Sequence, residues 1–236
     1  MQRFLVHSPL SIDMNITDKE MIHQLTRVLR AQVGEHIILF DGDRSETEYE
    51  MVSITKHALL LKWLNRTFPH TEALKSITLY QALPNKIEKI EYILQKWVEI
   101  GVKKFVFFRS DRSQKLVISD SKIARLGSIA QEALEQCGGL QMPIIDFFQS
   151  WERYVSSSES EKWKGQIVLD TRGDSRRIAE YANIQDIGLW VGPEWGWSEE
   201  ERWEMRYNGF IFAHFSDRIL RTETAGIVVC FALLNA

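Results

Sequence analysis

Three short stretches gather the residues whose types and spacing could do chemistry: LDTRGD (169–174), VGPEWGWSEEE (191–201) and FSDRILRTETA (215–225). Each follows an apolar run of strand type, and in α/β sheets ligands collect beyond the carboxyl ends of strands. The second stretch holds Gly192 and Gly196, which let backbone amides and carbonyls approach a ligand closely. Ser198 and Glu201 in it form an S-x-x-E capping box, so a helix N-terminus with its positive dipole end faces the same turn. The third stretch brings Arg218, Arg221, Thr222 and Glu223 to another helix start. Trp195 and Trp197 lie inside the glycine-rich turn, where small polar residues are the norm. Taken singly, each stretch is weak evidence, since a Gly-Pro-Glu corner is more often a plain turn.

Several chemistries are not supported. The turn is neither G-x-G-x-x-G nor the G-x-x-x-x-G-K-[ST] phosphate loop, and no G-x-S-x-G elbow occurs. The six histidines show no HxxxH or HxH pairing, and Cys137 and Cys230 are 93 positions apart, so no metal is expected. Neither cysteine suggests a disulfide framework. No apolar run approaches the ~20 residues that span a bilayer. The start, MQRFLVHSPL, lacks the apolar core of a signal peptide, so a cytoplasmic protein without membrane attachment is expected. The net charge of -3 is unevenly placed. Residues 85–125 carry ten basic groups against five acidic ones, a net +5, so the rest of the chain totals -8. Such asymmetry can focus a positive field on one face, and equally describes a solvated helix face.

The elements that must position these stretches follow from periodicity. With 236 residues, 44% of them hydrophobic, the chain has ample core for one large domain or two modest ones. Residues 1–70 are β-rich: HIILFDG, ETEYEMVSIT and HALLLKWL read as strands, which suggests a small barrel. One helix interrupts them, with Thr17 and Glu20 in the capping-box pattern and HQLTRVLR at its end. Asp43 to Glu50 reads as a polar hairpin tip, NRTFPHTEAL (65–74) as a linker and SSSESE (156–161) as a surface loop. From residue 76 the pattern becomes strand–helix–strand. SITLYQAL, then NKIEKIEYILQKWVEIG, then VKKFVFF form a βαβ unit, with Ile87, Ile90, Leu94, Trp97 and Val98 at helical spacing. A long helix follows (Ser121 to Cys137). QIVLD, IGLWV and GFIFAHF are strand-like, and TETAGIVVCFALL is an apolar helix. Such alternation predicts an open α/β sheet.

Taken together, these pieces have a further pattern. His23 to Arg30 reads H-x-x-x-R-V-L-R, and ALPNKIEKIEYILQKWVEIGV, RLGSIAQEALEQCG, VGPEWGWSEEE and RILRTETA follow in order. The chain resembles the 16S ribosomal RNA uracil-N3 methyltransferases, which are SPOUT-class enzymes, over nearly its whole length. The resemblance implies a PUA-like, RNA-binding β-barrel over 1–70 and a methyltransferase domain over 71–236, with a parallel sheet and a deep trefoil knot. It implies a homodimer, S-adenosylmethionine as cofactor, and 16S ribosomal RNA or the small ribosomal subunit as partner. The cofactor would be held by Leu169, Asp170, Val191, Gly192, Pro193, Glu194, Gly196, Phe215, Ile219, Leu220, Arg221, Thr222 and Thr224.

The implied reaction moves a methyl group to an imide nitrogen whose proton must leave. An arginine suits the charge that spreads onto the flanking carbonyl oxygens, because it stays cationic and presents a planar fork of donors. Arg221 is the expected catalytic cation, with Glu194 or Glu223 orienting groups or receiving the proton. A surface ion pair between Arg221 and Glu223 is the plainer alternative. Arg27, Arg30, Lys86 and Lys89 are candidates for RNA contact, and Glu132 and Gln136 for the substrate face or simple packing. The sequence departs from the family at Trp195, where a glycine is usual, and at Gly139, where an arginine is expected. Phe215-Ser216-Asp217-Arg218 and Asp170-Thr171-Arg172 also differ from the family pattern. Two other readings stay open: a SPOUT methyltransferase for another RNA, and a catalytically silent RNA-binding protein.

Overall fold

The computed structural model describes residues 1–148, 150, 165–172 and 175–235, so SSSESE and the last two residues of LDTRGD lie outside the described residues. The chain forms two compact units, Met1–Glu72 with Leu134–Met142, and Ala73–Ala133 with Pro143–Ala236.

The first unit is a five-stranded mixed sheet. Its strands are β1 (Gln2–Leu5), β2 (Asp13–Ile16), β3 (His36–Phe40), β4 (Glu46–Ile54) and β5 (Leu59–Thr67), in the order β1-β3-β4-β5-β2. β1 runs parallel to β3, and the other pairs are antiparallel. Alternation decides the inner face: Thr47, Tyr49 and Met51 of β4 are buried between less buried neighbours, as period-2 geometry requires. Two register shifts in β4 bend the strand around a core that includes Phe4, Leu25, Ile37, Leu39 and Leu61. Arg3 of β1 adds a polar clamp. Its guanidinium donates to the carbonyls of Leu134 and Glu135 at 3.3 Å and of Gly139 at 3.2 Å, and ion-pairs with Glu46 at 2.9 Å. The Glu135 carboxylate accepts from the Leu5 amide.

Four expectations are corrected in this unit. The helix α1 (Lys19–His23) is capped by Asp18, not Thr17, because the Asp18 carboxylate accepts from the Met21 amide at 2.8 Å. HQLTRVLR widens into a π-helical turn over Gln24–Val28. The hairpin tip is shorter than Asp43 to Glu50, since β4 begins at Glu46. The tip is held by Asp43, whose carboxylate accepts from the Ser45 amide and pairs with Arg66 at 2.6 Å. β5 also runs to Thr67, so Asn65–Thr67 are strand rather than linker.

The second unit is a seven-stranded, wholly parallel sheet. β6 (Ser76–Ala82), β7 (Lys104–Phe108), β8 (Ile144–Phe148), β9 (Gln166–Leu169), β10 (Arg176–Arg177), β11 (Asp186–Val191) and β12 (Ile211–His214) take the order β10-β12-β9-β11-β6-β7-β8. β6 and β11 are buried along nearly their whole length, as strands covered on both faces must be. α2 (Ile87–Glu99) returns the chain from β6 to β7 and buries Ile90, Ile93, Leu94, Trp97 and Val98. α3 (Asp120–Cys137) follows β7, α4 (Glu199–Tyr207) follows β11, and α5 (Thr222–Leu234) follows β12. α5 packs on α2 at Gly226, where a Cβ would overlap the Trp97 indole. Both cysteines are free thiols, and burial pushes the Cys230 thiol far up, so it packs as a small hydrophobe. Among the described residues no helix is long and apolar enough to cross a membrane.

Candidate active site

The carboxyl ends of β9, β11 and β12 open into one cleft of about 550 Å³. Every residue expected at the cofactor lines it except Thr224, which is exposed on the first turn of α5. A helix start turns its third residue outward while Thr222 and Glu223 face the cleft, and a linear motif does not show this. The cleft also takes in Lys89, Arg172, Trp195, Trp197, Arg202, His214 and Arg218.

The turn after β11 is built on Trp197. This indole is 1% exposed, stacks on Phe108 at 6.2 Å and donates from Nε1 to the Leu169 carbonyl at 3.0 Å. It thereby staples the turn to the end of β9. Its ring leaves no space over Gly192, where a Cβ would lie 3.1 Å from the indole. Gly196 has a φ of +67°, a left-handed conformation that costs other residues ~1 kcal/mol or more. The capping box is present in full: Ser198 Oγ accepts from the Glu201 amide, and Glu201 accepts from the Ser198 amide.

Beneath the turn lies an ion pair that the sequence reading missed. Arg202 is 4% exposed and donates from Nε to Asp170 at 2.6 Å, and from Nη1 to the Trp197 carbonyl at 2.7 Å. A buried guanidinium is tolerated only with its donors engaged, and the arrangement locks the turn against the β9 exit. Asp170 was expected at the cofactor, and it lines the cleft, but its carboxylate is engaged with Arg202. The signal in the sequence would have been an arginine in the first turn of an acidic helix.

The charged centre of the cleft is Lys89, set between Glu194 and Glu223. Its ammonium is 2.8 Å from Glu194 and 3.7 Å from Glu223. Glu194 also accepts from the Asn85 amide at 3.1 Å. Burial pushes the Glu194 carboxyl up, but the hydrogen bonds from Lys89 and the Asn85 amide prevail and hold it below its usual range. Glu223 is different: its Oε2 is buried and has no hydrogen-bond partner among the described residues. Among the described residues its ion-pair partner is Lys89 rather than Arg221. Arg221 is exposed in the cleft, and its backbone carbonyl accepts from the amides of Thr224 and Ala225 to start α5. The Thr222 hydroxyl donates to the Gly192 carbonyl at 2.6 Å and accepts from Gln81 at 3.0 Å, which joins the third stretch to the second.

Such a cleft, with an exposed cation, a relayed carboxylate pair and glycine-shaped walls, fits transfer chemistry on a flat polar ligand. Residues 71–234 match the family of RNA methyltransferase domains, and residues 16–63 match the RNA methyltransferase PUA domain. The chain belongs to this RNA methyltransferase family. A ribosomal RNA small subunit methyltransferase E from Buchnera aphidicola is 28% identical over 214 residues, covering 89% of this chain and 83% of that protein. The crystal structure of a ribosomal RNA small subunit methyltransferase E from Neisseria gonorrhoeae, bound to S-adenosyl methionine, superposes with a TM-score of 0.89. It is 26% identical and covers 100% of this chain and 97% of that one. A putative methyltransferase from Legionella pneumophila, in complex with the same cofactor, gives a TM-score of 0.86 at 26% identity, with 98% and 96% coverage. This chain shares its fold with these two solved relatives, and in it the parallel sheet carries the cleft.

The residues expected to touch RNA in this methyltransferase lie on several elements of the two units. Arg27 and Arg30 are exposed in the first unit, Arg30 with a φ of 54°. Lys86 is exposed at the start of α2, and Glu132 and Gln136 are exposed on α3. Lys89 does not join them, because it points into the cleft. Among the described residues no group of three or more His, Cys, Asp or Glu is placed to hold a metal ion.

Proposed function

We propose that this RNA methyltransferase takes a methyl group from S-adenosylmethionine and places it on N3 of a uridine in small-subunit (16S) ribosomal RNA. In this reading residues 1–70 act as the RNA-holding barrel and residues 71–236 as a knotted transfer domain that works as a homodimer. The observation that carries the reading is the joining of Arg221, Glu223 and Glu194 in one cleft lined by the strand exits. Its volume, about 550 Å³, lies within the range for nucleoside-sized ligands. Its walls supply apolar surface from Leu169, Val191, Ile219 and Leu220, and backbone polar groups from the Gly192–Trp197 turn. These residues would hold the cofactor, and Oε2 of Glu223, 3.7 Å from the Lys89 ammonium, accepts no hydrogen bond among the described residues. When bound, the cofactor supplies an electrophilic methyl group on a sulfonium.

The chain's own residues do the rest. Uracil N3 attacks only as it loses its proton, and the negative charge then spreads to the two flanking carbonyl oxygens. Arg221, exposed and permanently cationic, presents donors to that charge. Glu194 is a poor acceptor because Lys89 and the Asn85 amide already hold its ionised form. Glu223 receives the proton, since its Oε2 has no competing hydrogen bond. Lys89 then keeps Glu194 charged and Glu223 oriented.

Mass spectrometry of 16S ribosomal RNA from a deletion strain tests the substrate: loss of 3-methyluridine is expected, and unchanged levels would sink the claim. Calorimetry with S-adenosylmethionine separates enzyme from silent RNA binder. No heat at millimolar cofactor, where binding is worth at most ~4 kcal/mol, would favour the silent protein.

A further inference from the structure

The loop after β7 carries Arg109, Arg112 and Lys115, and it is riveted to the turn that holds Trp195. Glu201, 1% exposed, is the central acceptor. Its Oε1 accepts from the Ser110 hydroxyl at 2.7 Å and the Asp111 amide at 3.1 Å, while its Oε2 accepts from the Ser198 amide at 2.8 Å. The Ser198 hydroxyl donates to Asp111 at 2.6 Å, so the one carboxylate among residues 109–119 is engaged. Arg112 closes the contact by donating from Nη1 to the Trp195 carbonyl at 3.1 Å. A buried carboxylate with three good donors resists opening, because each donor released would leave a charge unsolvated. The two loops therefore move as one piece.

On this rigid piece stands an indole that lines the cleft yet is 70% exposed. Trp197, two residues on, takes the interior position, so Trp195 is left at the mouth. The loop bonded to its backbone carries the exposed Arg109 and Lys115 and the partly exposed Arg112, whose guanidinium has further donors beyond Nη1. An exposed indole joined through its backbone to a loop whose three cations have no ion-pair partner among the described residues has the composition of a single-stranded nucleic-acid platform, in which a base stacks and its phosphate meets the cations. We infer that Trp195 and the Arg109–Lys115 loop form a docking platform for a nucleotide flanking the target, with a base on the indole and the backbone along the arginines. The inference rests on the proposed RNA substrate. It gives the loop after β7 a function that the methyl-transfer chemistry does not require.

Stacking is sequence-tolerant, because every base has a π-face. The platform therefore holds the strand in register and reads shape rather than sequence. The Gly196 conformation and the Pro193 carbonyl, which accepts from the Gly196 amide at 2.9 Å, fix the turn before RNA arrives. Little ordering is left for the complex to supply.

The test compares wild type, Trp195→Ala, Trp195→Phe and Arg112→Gln. For each, dissociation constants for in-vitro-transcribed 16S ribosomal RNA and for S-adenosylmethionine are measured, together with the sedimentation coefficient. Trp195→Ala should weaken RNA binding about ten- to hundredfold, within the usual range for one stacked base. Trp195→Phe should restore most of that loss, with cofactor affinity and sedimentation unchanged in both. Arg112→Gln should lower the slope of log affinity against log salt by about 0.7, as for one phosphate on a single strand. RNA affinity unchanged in Trp195→Ala overturns the platform. Weakened cofactor binding in that variant would make the indole a cofactor wall, and altered sedimentation would make it a subunit contact. Either result overturns the inference while leaving the methyltransferase reading intact. A wild-type protein that binds cofactor but not this RNA removes the substrate reading and the platform together.

Discussion

Arg221 and Glu223 stand two residues apart at one helix start, yet the structure holds them in opposite ways. Arg221 is exposed, and only its backbone supports α5. Arg221→Ala should therefore leave stability within about 0.5 kcal/mol, as for other surface changes, while lowering kcat by about 10²–10³, the cost of one lost charge-stabilising donor. Urea denaturation alongside single-turnover methylation checks both halves, and full activity would refute the role. Glu194 offers a pH signature instead. Its folded pKa lies below the usual 4.5, so its pairing with Lys89 adds stability that is complete above the unfolded value. That stability is lost as pH falls through the lower folded value. The urea midpoint of Glu194→Gln should thus trail wild type at pH 7, and the gap should close as pH falls through the lowered folded value. A gap that stays constant with pH would mean the carboxylate is not paired in its ionised form.

At the scale of elements, two contacts carry testable weight. Gly226 lets α5 approach α2 closely enough that Trp97 occupies the place of its side chain. Gly226→Ala should cost roughly 1–3 kcal/mol by overpacking, read as a lower denaturation midpoint with an unchanged m-value. Trp197→Ala should cost roughly 3–5 kcal/mol and weaken cofactor binding, because the same indole fills the core and ties the turn to β9. Much of this level was legible in advance. The helical spacing of Ile90, Leu94 and Trp97, the strand-like residues of β6 and β11, and the Ser198/Glu201 cap are local patterns, and local patterns survive in sequence. Long-range pairings were not legible. Periodicity shows which face of α2 is apolar, but not that its first turn ends beside residue 194, so the pairing of Lys89 with Glu194 could not be read from it. Arg202 was passed over for the same reason: its partner Asp170 is set by strand order, which no spacing reveals. At α1 the error was smaller, since two adjacent residues could cap the helix and the side-chain geometry chose Asp18.

For the whole molecule the uneven charge becomes a measurable quantity. If residues 85–125 steer RNA, neutralising the exposed Lys86 should lower the salt slope of RNA affinity without changing cofactor affinity. Filter binding over a salt series reads this, and an unaltered slope would put Lys86 outside the RNA path. The first unit carries a different consequence, one of timing. Arg3 near the start of the chain donates to carbonyls of Leu134, Glu135 and Gly139, and the same unit includes Leu134–Met142. A ribosome delivers the chain in order, so the first seventy residues emerge with this clamp still lacking its acceptors. Their last hydrogen bonds form only after β6, α2, β7 and most of α3 have been synthesised. The amino-terminal sheet is thus made first and completed late, and a nascent chain halted before residue 134 should expose its β1 edge to protease.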